Sequence, residues 1–221
     1  MVTVRLAQVM ERIRDAERRG GRRPGRVRLV AVTKGRAVET VLEAYRAGQR
    51  HFGESRSQDL TDKALALPSD IEWHFVGPLQ RNKVRVVRPQ VVLLHSLDRP
   101  ELAETWVKGP GQAPPALLEV NVGGEEQKLG VDPDRAEELL EQVLGLGVDV
   151  RGLMTIPPRV ERSEQARGYF EELAELRDRL AARWPKVREL SMGMSEDFEE
   201  AVEAGSTIVR IGRAIFGSTD D

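Results

Sequence analysis

Eight short apolar runs recur along the chain, each followed by a stretch that reads as a helix, and this alternation limits the fold more than any other feature. The runs fall at 28–34, 50–53, 71–76, 91–95, 116–122, 148–154, 187–191 and 207–211. They are too short and too continuous for amphipathic helices, and Gly, Pro or polar residues close them, as expected of strands buried on both faces of a parallel sheet. Helical patterns fill the intervals at 37–47, 56–67, 80–87, 99–107, 133–145, 163–184 and 195–204. An extra amphipathic helix at 3–19 places Val4, Leu6, Val9, Met10 and Ile13 on one face. Each strand-plus-helix unit has the length of a βαβ crossover, and eight of them close a (β/α)8 barrel. An open doubly wound sheet is the main competitor, but G-x-G-x-x-G does not follow the first strand. The expected fold is therefore α/β, a single TIM barrel domain spanning 1–221 with an N-terminal helix in 1–20.

Composition removes several classes of function. The 221 residues contain no cysteine, which excludes disulfides, thiolate nucleophiles and zinc–thiolate centres. A formal charge of -2 gives no overall nucleic-acid footprint, and the arginine-rich stretch from Arg18 to Arg28 reads as a solvated loop beside a helix end. No apolar run approaches the length of a membrane span, and the N-terminus lacks a signal-peptide core. The expectation is a cytoplasmic protein without membrane or nucleic-acid partners, acting as a monomer or weak dimer.

In a barrel the strand C-termini share one mouth, where the chemistry sits. Reading those ends in order gives Lys34, Phe52 to Glu54, His74, His95, Glu119 to Asn121, Met154-Thr155, Ser191 to Ser195 and Arg210 to Gly212. Lys34, where the first run stops, is open to three readings: an imine-forming amine, a phosphate-binding point charge, or a rim residue. Ser96, Thr155 and Ser195, taken singly, read as helix or loop caps. The loops after the last two strands, Ser191-Met-Gly-Met-Ser195 and Gly212-Arg213-Ala214, are small and rich in donors, the composition of a phosphate cup. A phosphate cup with a solitary strand-end lysine suggests either a sugar-phosphate aldolase or a pyridoxal 5′-phosphate (PLP) protein. Arg210 beside the cup favours the second, of the kind whose pyridine nitrogen faces a cation.

Several segments, in order, carry a resemblance. They are Ala31-Val-Thr-Lys34, His51-Phe-Gly-Glu54, Trp73-His-Phe-Val-Gly77 with Leu79-Gln80 and Asn82-Lys83, His95-Ser-Leu-Asp98, Glu119-Val-Asn121, Gly152-Leu-Met-Thr155, Leu190-Ser-Met-Gly-Met-Ser195, and Gly205 to Gly212 with Ala214-Ile-Phe-Gly217. The chain resembles the pyridoxal phosphate homeostasis proteins, which look like the barrel domain of alanine racemase standing alone. The resemblance implies PLP fold type III, with Lys34 forming an internal aldimine with PLP. Ser195 and the backbone N–H groups of Gly212 and Arg213 would hold the phosphate, and Arg210 would face the pyridine nitrogen. His74, Asn121 and Met154 would line the pocket. It also implies a carrier that buffers PLP or delivers it to PLP-dependent apoenzymes. An amino-acid racemase is the alternative. That chemistry needs a second base, a tyrosine that alanine racemase takes from another domain, whereas this chain ends soon after its eighth strand and Tyr45 and Tyr169 fall in predicted helices. Three positions depart from the family pattern: Ser55 where asparagine is usual, Gln127 before Lys128 where a hydroxyl residue is usual, and Arg213 in place of threonine.

Overall fold

The structure, a computed structural model, describes residues 1–125 and 127–218. Its eight strands are β1 (Arg28–Val32), β2 (His51–Glu54), β3 (Glu72–Phe75), β4 (Leu93–Leu97), β5 (Ala116–Glu119), β6 (Val150–Met154), β7 (Glu189–Ser191) and β8 (Ile208–Ile211). They close in sequence order into a parallel barrel, with β8 pairing back onto β1. The helices are α1 (Val2–Arg19), α2 (Val38–Arg46), α3 (Ser57–Ala66), α4 (Val84–Val87), α5 (Pro100–Val107), α6 (Ala136–Gly145), α7 (Arg167–Arg183), α8 (Phe198–Glu203) and α9 (Arg213–Phe216). The (β/α)8 barrel with an N-terminal helix is thus the observed architecture.

Strand alternation sorts the core into two parts. Leu29, Ala31, Phe52, Phe75, Leu94, Leu118, Leu153, Leu190, Val209 and Ile211 join one large apolar cluster with the helices. Val30, Leu93, Leu117, Met154 and Ile208, on the opposite strand faces, form a separate small cluster inside the barrel. Each fully buried aliphatic side chain contributes roughly 1.5–3 kcal/mol. On the same inward face the barrel also buries His74, His95, Glu119, Ser191 and Arg210. An interior this polar must be hydrogen-bonded throughout or it costs stability.

Helix α1 packs on α8, α9 and α2, and Glu17 near its end is fully buried. The Glu17 carboxylate accepts hydrogen bonds from the N–H groups of Gly25, Arg26 and Val27 at 2.7–2.8 Å, which seats the loop entering β1. Two arginines of this region are engaged within the chain. Arg19 pairs with Glu199 and Glu203, and Arg22 donates to the carbonyls of Ser206 and Val202.

Several boundaries differ from the sequence expectation. β1 ends at Val32, two residues before Lys34, because Thr33 to Arg36 turn back on themselves, with Gly35 at φ +67° and the Arg36 N–H on the Thr33 carbonyl. β4 runs on through Ser96, whose hydroxyl donates to the Gly77 carbonyl at 2.6 Å; it therefore ties β4 to the loop after β3 and caps no helix. The segment at 80–87 contains only one turn of α-helix, α4, flanked by 3-10 turns. α8 begins at Phe198, so Ser195 lies in the turn before it. Asp132 caps the 3-10 turn Pro133–Arg135 ahead of α6, accepting from the Asp134 N–H.

Candidate active site at the barrel mouth

Closure of β8 onto β1 assembles the two ends of the sequence. Val30 pairs with Arg210 and Ala31 with Ile211, so the turn carrying Lys34 leaves the sheet beside Gly212. A Cβ built on Gly212 lies 3.1 Å from the Val32 carbonyl oxygen, which shows how closely the two backbones approach. Lys34 itself is exposed. Its base is held from behind. Thr33 is fully buried, its hydroxyl donates to Glu54 at 2.6 Å, and its carbonyl accepts from the Lys63 ammonium at 2.6 Å. Lys63 and Glu54 complete the triangle as a buried ion pair.

The loops after β7 and β8 lie against each other. The Ala214 N–H donates to the Ser195 hydroxyl at 3.2 Å, linking the two loops. Gly193 has φ +93°, and a Cβ there would fall 2.6 Å from the Ala201 side chain, so only glycine fits. The Met194 N–H donates to Asp197, whose carboxyl is pushed up by burial. The Arg213 guanidinium makes an exposed pairing with Glu196, the neighbour of Ser195, at 2.8 Å.

Arg210 is 5% exposed and lies deeper. Nη1 donates to the Ser191 carbonyl and hydroxyl at 2.7 and 2.6 Å, and Nη2 donates to the Thr155 carbonyl at 2.8 Å. A guanidinium has five N–H groups; three are used here, and the others remain for a ligand. Burial lowers its pKa to about 10, so it stays charged at neutral pH. Glu119, buried on β5, is raised to about 7 by desolvation and by Asp98, with Arg210 acting against the rise.

The remaining expected residues divide. Met154 is fully buried in the interior cluster, one residue before the carbonyl that holds Arg210. Asn121 lies just beyond β5, its amide donating to the Glu125 carbonyl at 2.9 Å. Gln127 approaches Glu125 at 3.4 Å, and Lys128 donates to the Pro157 carbonyl in the loop after β6. His74 is not at the mouth. Its ring sits in the barrel interior between His51 and His95 and borders a cavity at the strand N-termini. Lys63 escaped the sequence reading because it lies on α3, far along the chain from Thr33; Thr33, Thr155 and Ser191 stood in the strand-end segments, but their contacts with Glu54 and Arg210 cross between strands and left no local signal.

The family model for the alanine racemase N-terminal domain matches residues 4–220. A pyridoxal phosphate homeostasis protein of Aquifex aeolicus is 47% identical over 219 residues, covering 96% of each chain. Among solved structures, PipY of Synechococcus elongatus without PLP superposes with a TM-score of 0.86 at 34% identity, over 98% of this chain and all of that one. PipY with PLP bound superposes at 0.79 and 31% identity with the same coverage.

Proposed function

The chain belongs to the alanine racemase N-terminal domain family, and from that premise we propose that it binds pyridoxal 5′-phosphate and serves PLP homeostasis, holding the cofactor and releasing it to apoenzymes. The carrying observation is the donor set at the mouth, which matches the three parts of the ligand. Lys34 offers an amine on a turn braced by Thr33, Glu54 and Lys63. The linked Ser195–Ala214 loops offer hydroxyl and N–H donors for a dianionic phosphate. Arg210 offers an unshared N–H toward a ring nitrogen. When bound, PLP supplies an aldehyde for an amine and a ring that withdraws electrons.

Each residue then has a defined task. Lys34 tethers the cofactor through its Nζ. Ser195, with the N–H groups of Gly212 and Arg213, orients the phosphate. Arg210 keeps the ring nitrogen free of a proton, because a fixed cation opposes a second positive charge there. This weakens the ring as an electron sink and suits a protein that carries the cofactor. The tyrosines support the same reading: the Tyr45 hydroxyl donates to Asp70 ahead of β3, and Tyr169 lies within α7. No described helix is long and apolar enough to cross a membrane, in keeping with a carrier that works in the cytoplasm as a single domain, monomeric or weakly dimeric. The test is the absorbance of the purified protein mixed with PLP. A band near ~420 nm, the range expected of a PLP–lysine adduct, is expected for the natural chain and absent in Lys34→Ala; its persistence in the variant overturns the assignment of Lys34.

A further inference from the structure

Four buried or half-buried groups connect the mouth to the opposite end of the barrel. Ser191 Oγ is 2.6 Å from Arg210 Nη1 and 2.8 Å from His95 Nδ1. His95 Nε2 is 2.9 Å from His74 Nδ1, and His74 Nε2 is 3.3 Å from His51 Nδ1. The route follows the sheet register. His51 lies opposite Glu72, two residues below His74, and His74 lies opposite Leu93, two residues below His95. The histidines therefore climb two residues per strand toward the mouth, along the stagger that a closed barrel imposes. His51 and His74 border a cavity of about 520 Å³ at the N-terminal ends of the strands.

We propose that Ser191, His95, His74 and His51 are positioning residues for Arg210, forming a hydrogen-bonded relay whose direction Arg210 itself fixes. An arginine only donates. Ser191 Oγ must accept from Nη1, which turns its own proton toward His95 Nδ1. His95 then carries its proton on Nε2 and donates to His74, which carries its own on Nε2 and donates to His51. The reversed arrangement would fill both Ser191 lone pairs and leave its buried hydroxyl proton without an acceptor among the described residues, so the arrangement running from Arg210 to His51 is the one that satisfies every group. The three rings are strung nitrogen to nitrogen, and among the described residues no three His, Asp or Glu side chains converge as metal ligands.

The outer end of the relay can change partner. His51 Nδ1 also lies 3.6 Å from the Glu72 carboxylate. Neutral His51 accepts from His74; protonated His51 becomes a donor there and turns to Glu72, leaving the His74 N–H without an acceptor. Around this ring the cavity also presents Arg28, Arg151, Lys186 and Arg188 against Glu189 and Glu72. Burial and Arg28 lower the His51 pKa and Glu72 raises it, with a net fall, while burial holds His74 at about 3 and His95 well below the usual imidazole range. Acid thus acts first at the end facing the cavity, and the inner rings remain neutral.

This inference rests on the PLP reading for its consequence but not for its geometry, so its first test omits the cofactor. Nitrogen NMR of the imidazoles in the protein without PLP at pH 8 is expected to show all three histidines protonated on Nε2, with His51 the first to titrate as the pH falls. His95 protonated on Nδ1 overturns the relay, whatever the protein binds. The second test adds PLP. Ser191→Ala is expected to release it about tenfold faster, the equivalent of one lost hydrogen bond of ~1.4 kcal/mol, and Ser191→Thr to restore the natural rate. His95→Leu is expected to abolish the acid-dependent change in the bound-PLP spectrum while the melting curve stays cooperative. An unchanged release rate in Ser191→Ala, or an unchanged acid response in His95→Leu, overturns the coupling to Arg210. A chain that binds no PLP but shows the Nε2 pattern overturns the functional reading alone.

Discussion

The ammonium of Lys63 and the carboxylate of Glu54 form an ion pair beneath the turn that carries Lys34, with side chains 8% and 0% exposed. The same two groups hold both the carbonyl and the hydroxyl of Thr33. Removing one partner strands a buried charge, at a cost of roughly 3–5 kcal/mol. Lys63→Met is therefore expected to lower the urea midpoint sharply. The double variant Lys63→Met with Glu54→Gln is expected to recover much of the loss, and a double variant as unstable as the single one would show that the charge pairing is not the cause.

Lys34 carries little structural load. It is exposed and makes no described hydrogen bond through its side chain, so Lys34→Ala is expected to melt within ~0.5 kcal/mol of the natural chain. The loss of PLP binding in this variant is then attributable to the amine alone. Lys34→Arg keeps the charge and cannot form the tether, so calorimetry should find at most weak, reversible PLP binding.

Glu119 makes stability depend on pH. Its carboxyl moves from an ordinary 4.5 to about 7 on folding, so between those values the folded chain holds a proton that the unfolded chain has lost. The sign follows: stability falls as pH rises from 4.5 through 7 and is flat above. Glu119→Gln removes this component, and the variant minus natural difference should grow by about 3 kcal/mol between pH 4.5 and 8. Denaturant melts at the two ends of the range provide the measurement.

Gly193→Ala and Arg213→Thr separate backbone from side chain in the phosphate cup. At Gly193 the backbone is left-handed and a Cβ would meet both Ala201 and Phe198, at 2.6 and 2.9 Å. A loss of roughly 2 kcal/mol or more and weaker binding of inorganic phosphate are expected. In the proposed role Arg213 acts through its N–H, and its pairing with Glu196 is exposed and worth under ~1 kcal/mol. Arg213→Thr is expected to retain stability, and a large loss of phosphate affinity there would assign the side chain a direct role.

The sequence alone carried the barrel, because eight buried strands cannot avoid the continuous apolar runs that reveal them. It also singled out Lys34, Ser195, Gly212 and Arg213 as candidates, since short loops after strands must be small or polar at fixed places. What it could not show is which residues meet across the barrel. His51, His74 and His95 are spaced by roughly one strand-plus-helix unit, and no local pattern distinguishes a histidine facing the mouth from one facing inward. That depended on the register of β2, β3 and β4 and on the inward face of each strand. Closure of β8 onto β1 decided the rest by placing Arg210 across from Val30 and within reach of Ser191 and Thr155. Local pattern specifies which groups are present, and the stagger of the closed sheet specifies which of them touch.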